Sequence, residues 1–287
     1  MSQNAIAIIT DSTCDLPDDR IAQYGFQVVP MQLIWGSQLL RDRVDIQADA
    51  FYQRLVSDSA YPTTSQPTPA DFVAAIQQAQ TSGATEAIIF TISGQMSNTY
   101  NSARLAGEMV DFPVTIVDSK ANSMSLGWQL MAAARVRDGG GSAADMLAAA
   151  ERVRANTVTL LYVDTLEYLQ KGGRISLAAR WVGTILDLKP LLHVDHQTGK
   201  IEPNSRARTR GQALDKMYTT FFSQLDTDQP LHVAVMHGNV PALAREVADR
   251  IQQEYQPVEM VTALTSPVMG VHTGPGALAL CGYAGNF

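Results

Sequence analysis

The sequence of 287 residues is poor in cysteine and in charged residues, and both shortages exclude classes of protein. Its two cysteines, Cys14 and Cys281, lie near opposite ends of the chain, and no Cys/His spacing typical of a structural zinc site occurs. This usage is typical of a reducing, cytoplasmic compartment. Charged residues make up only 17% of the chain, with a net charge of −7, whereas nucleic-acid-binding proteins carry a basic face. We therefore expect no nucleic acid partner.

Long apolar runs are also missing from the sequence. No stretch of about 18 uncharged apolar residues occurs, and the N-terminal segment lacks a basic stretch followed by a long apolar one. We therefore expect neither a signal peptide nor an integral membrane protein, and a cytoplasmic location. Hydrophobic residues nevertheless make up 46% of the chain, which is enough for the cores of two ordinary domains.

In the first half of the chain, short apolar runs alternate with helical patterns, an order that predicts parallel strands joined by helices. The clearest helix start is at Thr68, where an N-cap threonine is followed by Pro69 and then by Asp71 at the third helical position. Pro30 is expected to interrupt an extended segment at residues 26–34. Other strands are predicted at residues 6–9, 86–92 and 114–117, and other helices at residues 98–110 and 123–138.

The second half of the chain is expected to form a mixed sheet covered by helices. Three glycines at 139–141 make a flexible joint before a helix that begins with Ser142 and Asp145. We place the domain boundary beside this joint, which gives N-terminal and C-terminal α/β domains at residues 1–155 and 156–287, with the ligand between them. Strands are predicted at residues 158–163, 200–207, 231–236 and 258–264, and helices at residues 176–188, 213–225 and 243–251.

Four polar segments lie where predicted strands end or loops begin, which is where open α/β sheets bind ligands. They cover residues 62–67, 91–100, 171–176 and 271–276. The second segment leads from a strand into a helix, whose free N–H groups favour an anion, and Ser93 and Ser97 add hydroxyl donors. The fourth contains His272, in a stretch that is too rich in glycine for a helix.

Each of these residues also has an ordinary structural interpretation. Serines before a helix are usually caps, and a single histidine is usually a structural or surface residue. Lys171 and Arg174 fit the common role of solvated charges. Asp11 and Asp118 both follow predicted strands and suggest a metal pair, but carboxylates in such places more often cap helices or turns. No metal site is therefore expected.

Standard enzyme signatures are mostly missing. The sequence has no GxSxG around Ser93 or Ser97, no GxxxxGK[ST] loop, and no GxGxxG after the first strand. A serine-dependent acyl hydrolase using Ser97 or Ser93 with His272 stays open as an alternative, because the geometry of a catalytic histidine cannot be seen in a sequence. A structural or regulatory module without a ligand is a third possibility.

Six segments, in order along the chain, resemble signature motifs of the DegV family. They are TDSTCDLP at 10–17, TSQP at 64–67, SGQMSNTY at 93–100, VDSK at 117–120, KGGRI at 171–175 and HTGPGA at 272–277. In the third segment, Gly94 stands where the family has a second serine and Asn98 where it has glycine, while Ser97 is retained. The resemblance covers nearly the whole chain.

The resemblance implies a fatty-acid-binding protein of two α/β domains that is not itself an enzyme. In this family a long-chain fatty acid lies in a tunnel with its carboxylate between the domains, and a separate fatty acid kinase phosphorylates that carboxylate with ATP. No cofactor is expected besides the fatty acid ligand. Carried over by motif, Thr64 and Ser97 are expected to donate hydrogen bonds to the carboxylate, with His272 completing the site and Ser93 beside it.

The same resemblance suggests where a partner kinase would act. Arg174, Arg208 and Lys171 are expected to contribute electrostatics near the head group or to dock the kinase. Physical chemistry agrees with a lipid ligand, because each buried methylene stabilises by about 0.8 kcal/mol and a chain of about sixteen carbons gains on the order of 10 kcal/mol. A buried, unpaired carboxylate would cost several kcal/mol, so hydroxyl, histidine and helix-end N–H donors are needed to hold it.

Overall fold

The first sheet is parallel and belongs to the N-terminal part of the chain. The structure is a computed structural model that describes residues 6–181 and 188–286. Strands β1 (Ile6–Asp11), β2 (Gln27–Val29), β6 (Glu86–Thr91) and β7 (Val114–Asp118) lie in the order β2-β1-β6-β7. Every neighbouring pair is parallel, which confirms the sheet direction predicted from the alternation of strands and helices.

The N-terminal part also contains α-helices, which lie between and after its strands. They are α1 (Asp18–Tyr24), α2 (Ala48–Ser57), α3 (Pro69–Thr81), α4 (Thr99–Glu108), α5 (Ser123–Asp138) and α6 (Ala143–Asn156). The predicted start of α3 is confirmed, since the Thr68 hydroxyl accepts from the Asp71 N–H and the Asp71 carboxylate accepts from the Thr68 N–H. α3 and α4 pack on one face of the sheet.

A small antiparallel sheet holds one of the predicted site residues. It consists of β3 (Gln32–Trp35), β4 (Gln38–Arg41) and β5 (Thr63–Ser65), in the order β4-β3-β5. The extended segment predicted at residues 26–34 is divided at Pro30, so that its two halves join different sheets. Thr64 pairs with Leu33, which is fully buried, so Thr64 lies on the inner face. Thr63 and its partner Ile34 lie on the outer face.

The second sheet belongs to the C-terminal part and is mixed, as predicted. Its strands are β8 (Val158–Tyr162), β9 (Lys189–Asp195), β10 (Lys200–Ala207), β11 (Leu231–His237), β12 (Glu259–Leu264) and β13 (Leu278–Ala284). They lie in the order β10-β9-β8-β13-β11-β12, and only the β11–β12 pair is parallel. The associated helices are α7 (Glu167–Lys171), α8 (Arg210–Ser223), α9 (Pro241–Tyr255) and α10 (Pro267–Thr273).

The prediction that His272 lies in a loop is wrong, because His272 belongs to α10. Pro267 starts this helix and Gly274, with φ +73°, ends it, so both glycines of the segment, Gly274 and Gly276, follow the helix. Gly270 lies inside α10, where a Cβ atom would be 2.5 Å from Phe51 Cε1, so close packing against α2 requires glycine. The helix predicted at residues 176–188 is a 3₁₀ helix over Ser176–Trp181, and residues 182–187 lie outside the described residues.

Helix α5 lies between the two sheets. Residues 124–134 are all buried, because one core cluster joins α5 to β1 and β6 on one side and to β11 and β13 on the other. α8 and α9 cover the opposite face of the second sheet. From one side of the molecule to the other, five layers of the described residues follow each other: the α3–α4 layer, the first sheet, the α5–α6 layer, the second sheet and the α8–α9 layer. The domain boundary between residues 155 and 156 stays a prediction.

Candidate functional site

A mainly apolar cavity lies between the two parts of the molecule. It has about 1000 Å³ of space free of protein atoms, a volume that includes the open solvent at its mouth. Its walls come from the carboxyl end of the first sheet, the inner face of the second sheet, the small sheet and α10. Apolar residues of the wall include Met31, Ile92, Leu161, Leu169, Met236 and Met269.

Three predicted ligand-binding residues line this one cavity, although they come from distant parts of the sequence. They are Thr64 on β5, Ser97 before α4 and His272 on α10. Thr64 Oγ1 and His272 Nε2 are 2.9 Å apart, a hydrogen-bond distance. Ser65 and Gln66 extend the same polar rim. The cavity thus combines an apolar wall with a cluster of hydroxyl and imidazole groups.

The His272 ring is held in a neutral state. Burial and the Arg174 guanidinium lower the pKa of His272 to about 4, so the ring carries no charge near neutral pH. Its Nδ1 atom is buried and finds no hydrogen-bond partner among the described residues. Gly172 leaves room for the ring, because a Cβ atom there would lie 2.1 Å from His272 Nδ1.

Ser97 combines a local structural role with its place in the wall. Its Oγ is 2.8 Å from Thr99 Oγ1 and accepts a hydrogen bond from the Thr99 N–H at 3.3 Å. Asn98, which immediately precedes α4, makes no side-chain cap. The ordinary interpretation of Ser97 as a residue that stabilises the helix start therefore holds, and the same side chain lines the cavity.

Ser93 serves a different purpose from its neighbour Ser97. Its fully buried hydroxyl donates to the Gly199 carbonyl at 2.6 Å and accepts from the Gln95 N–H at 3.1 Å. Gly199 lies in the turn between β9 and β10, so this bond ties the two parts of the molecule together. Ser93 is not among the residues that line the cavity, and its role in binding a carboxylate stays a prediction.

The three predicted cations occupy different surroundings. Arg174 donates to the Met96 carbonyl from Nε at 3.0 Å and lines both the cavity and a more polar outer pocket beside it. Lys171 forms an ion pair of 2.6 Å with Glu167 and does not line the cavity. Arg208 is exposed at the end of β10 and lines neither space. Only Arg174 therefore lies at the site itself.

The two aspartates that suggested a metal pair have capping roles. Asp11 is fully buried and accepts from the N–H groups of Thr13 and Ile92 at 3.0 and 2.8 Å. Asp118 accepts from the Gly94 N–H at 3.1 Å. Within residues 6–181 and 188–286, no three His, Cys, Asp or Glu side chains are grouped so that they could hold a metal ion.

The geometry gives no support to the hydrolase alternative. Ser97 Oγ bonds to Thr99, Ser93 Oγ bonds to a backbone carbonyl, and His272 Nε2 bonds to Thr64. No serine–histidine hydrogen bond and no acid that orients His272 therefore occur in the described part of the chain, although a nucleophile and its base need both.

Sequence reasoning missed the steric role of Gly172 and two buried carboxylates, Asp15 and Asp42, that contact α10. Asp15 lies inside the TDSTCDLP segment, so a signal for it existed. Asp42 lies at the end of the small sheet, and no local pattern distinguishes it from a surface turn residue.

Comparison with known proteins gives a consistent result along the whole chain. The family described as "Uncharacterised protein, DegV family" matches residues 5–284. Protein DegV of Bacillus subtilis is 31% identical over 279 residues, which cover 96% of this chain and 98% of that protein. None of the described helices is both long and apolar enough to span a bilayer.

Solved structures show the same fold. A DegV family protein from Thermus thermophilus, described as fatty-acid-binding, superposes with a TM-score of 0.89 at 31% identity, covering 98% of this chain and 99% of that one. A stearic acid-binding protein from Eubacterium ventriosum superposes with a TM-score of 0.88 at 25% identity, covering 97% and 98%. The family match, the six ordered motifs and the shared two-part α/β architecture all agree. The chain therefore belongs to the DegV family.

Proposed function

We propose that this chain binds a long-chain fatty acid in the cavity and presents its carboxylate, held by Thr64, Ser97 and His272, to a fatty acid kinase for ATP-dependent acyl-phosphate formation. The observation that carries the proposal is the convergence of these three side chains on one mainly apolar cavity. The apolar wall would bind the acyl chain, and the polar cluster would accept the charged end. The fatty-acid-binding relatives with the same fold support the choice of ligand.

The neutral imidazole suggests how the carboxylate is held. A neutral histidine has one N–H, and the buried Nδ1 of His272 has no partner among the described residues, so the proton is best placed on Nε2, where it donates to Thr64 Oγ1. The Thr64 hydroxyl then keeps its own proton for the ligand. Ser97 can add a second hydroxyl donor. Hydroxyl donors hold the carboxylate without a fixed ion pair, which leaves an oxygen free for phosphoryl transfer.

Substitution of the hydroxyl groups tests the binding site. Thr64→Val and Ser97→Ala should each raise the Kd for a C16 fatty acid by about 5- to 150-fold, because each removes a hydrogen bond of about 1–3 kcal/mol to a charged group. Thr63→Val is the matched control, since Thr63 is the exposed neighbour on the outer face of β5. Unchanged affinity in both site variants, measured by isothermal titration calorimetry, would refute the assigned carboxylate site.

Presentation to a kinase requires a separate test. Arg208 is exposed and lies outside the cavity, so Arg208→Glu should slow phosphorylation of the bound fatty acid by an added fatty acid kinase while leaving lipid content unchanged. Arg152→Glu, at another exposed arginine that lines neither space, is the control. A normal phosphorylation rate for Arg208→Glu would remove Arg208 from the docking surface, and failure of the wild-type protein to support phosphorylation would refute presentation itself.

A further inference from the structure

Two buried carboxylates of the N-terminal part contact the backbone at the start of α10, the helix that carries His272. Asp15 Oδ1 accepts a hydrogen bond from the Ser266 N–H at 3.0 Å, and Asp42 Oδ1 accepts one from the Val268 N–H at 3.2 Å. Asp15 is 3% exposed and Asp42 is 1% exposed. Both aspartates are more than 220 residues away in sequence from the groups that they accept from.

Each carboxylate is fixed by its second oxygen to the N-terminal part of the molecule. Asp15 Oδ2 accepts from the Ser123 hydroxyl at 2.6 Å. Asp42 Oδ2 accepts from the Ser12 hydroxyl at 2.6 Å, and the same Ser12 Oγ accepts from the Met31 N–H at 3.0 Å. The two acids therefore connect the start of α10 to the first residue of α5 and to Ser12, which directly follows β1.

These contacts replace a cap that α10 lacks. Ser266 precedes the helix but makes no side-chain cap, and distant carboxylates bind the backbone instead: Asp42 accepts from the Val268 N–H in the first turn, and Asp15 accepts from the N–H of Ser266 itself. Negative charge at this end of a helix is favourable. Burial of a carboxylate is unfavourable. It raises the pKa of Asp15, and it raises the pKa of Asp42 to about 7. Neither acid forms an ion pair within the described residues. The backbone N–H groups at the start of α10 and the hydroxyls of Ser12 and Ser123 therefore offset the cost of burying the two carboxylates.

The position of α10 bears directly on the site. Val268, whose N–H is bound by Asp42, lines the cavity, and His272 follows it one turn later on the same wall. A rotation or shift of this short helix would change both the cavity wall and the 2.9 Å separation between His272 Nε2 and Thr64 Oγ1.

We infer that Asp15 and Asp42 are positioning residues of the carboxylate site, which hold α10 so that His272 stays against Thr64. This inference rests on the proposed function. It adds two residues that do not line the cavity and assigns them an effect on binding of the acid end of the ligand, not of its acyl chain.

The test compares two probes of equal chain length, hexadecanoic acid and hexadecanol, on the full-length protein. Asp42→Ala should weaken binding of the acid by about tenfold, which is the scale of one lost helix cap, and binding of the alcohol by less than about twofold. Asp42→Asn keeps an oxygen for the Val268 N–H and should recover most of the acid affinity. In a His272→Ala background, Asp42→Ala should cause no further selective loss.

A purely structural role predicts a different pattern. Equal losses for acid and alcohol, or full additivity of Asp42→Ala with His272→Ala, would overturn the inference while leaving the proposed function intact. Unchanged acid affinity in His272→Ala alone would overturn the carboxylate site as well. If Asp42→Ala does not fold, Ser12→Ala removes the support of Asp42 Oδ2 and should give a smaller loss, about threefold, that is selective for the acid.

Discussion

The contact between Gly172 and His272 allows the site to be perturbed without removing any of its functional groups. Gly172 has φ −77° and ψ −6°, a conformation that alanine adopts without strain. A Cβ atom at this position would lie 2.1 Å from His272 Nδ1 and 2.8 Å from His272 Cε1. Real Cβ atoms do not approach this closely, so in Gly172→Ala the imidazole ring must move by about 1 Å.

Movement of the ring would break its hydrogen bond to Thr64, which is 2.9 Å long in the native structure. A hydrogen bond that supports a charged ligand contributes about 1–2 kcal/mol, so Gly172→Ala should raise the Kd for hexadecanoic acid by about 5- to 30-fold. Hexadecanol should bind nearly as well as to the wild-type protein. Calorimetric titration of both probes measures the effect.

Gly173→Ala provides the matched control for this substitution. Gly173 has φ +69°, so alanine there is strained, but its Cβ atom would meet nothing within 4 Å. We expect Gly173→Ala to lower the free energy of unfolding by about 1 kcal/mol while keeping the preference for the acid over the alcohol. If Gly172→Ala binds the acid as tightly as the wild-type protein does, the position of His272 does not matter and the reasoning is refuted.

Two further predictions concern stability. Burial raises the pKa of Asp42 from 3.8 to about 7. Between these two values the folded state binds a proton that the unfolded state has lost. The free energy of unfolding should therefore fall by about 3 kcal/mol between about pH 5 and about pH 8. Urea titrations should show that Asp42→Asn lacks this part of the decrease, and parallel pH dependences would contradict the assigned burial. Ser93→Ala leaves the Gly199 carbonyl and the Gln95 N–H unpaired and should cost about 1–3 kcal/mol of stability. Because Ser93 lies outside the cavity, a selective loss of acid binding in Ser93→Ala would show that its assigned role is wrong.

Local patterns in the sequence predicted the elements whose ends are marked by their own residues. Helix α5 occupies residues 123–138 as predicted, and the start of α3 follows from the capping box of Thr68 and Asp71. β10 was also predicted with its correct limits, since the turn at Gly199 marks the hairpin. In each of these elements the residues that mark an end lie within or beside the element itself, so the sequence alone contains that signal.

Elements and contacts that depend on the packing of distant segments could not be predicted. α10 has no side-chain cap of its own, and the N–H groups of Ser266 and Val268 at its start are bound by Asp15 and Asp42 from the other part of the molecule. His272 meets Thr64 across 208 residues of sequence. Resemblance to the family placed both residues in one site, but neither periodicity nor spacing could show their separation or the neutral state of the ring. Ser93 and Ser97 look alike in sequence, and only tertiary packing directs one hydroxyl to Gly199 and leaves the other in the cavity wall.

The most direct test of the account is the lipid content of the purified protein. Organic extraction followed by mass spectrometry should recover long-chain fatty acid from the wild-type protein at close to one molecule per chain, and distinctly less from Thr64→Val under the same washing conditions. Absence of fatty acid from the wild-type extract, together with no binding of added hexadecanoic acid, would contradict the central claim that this cavity holds a fatty acid by its carboxylate.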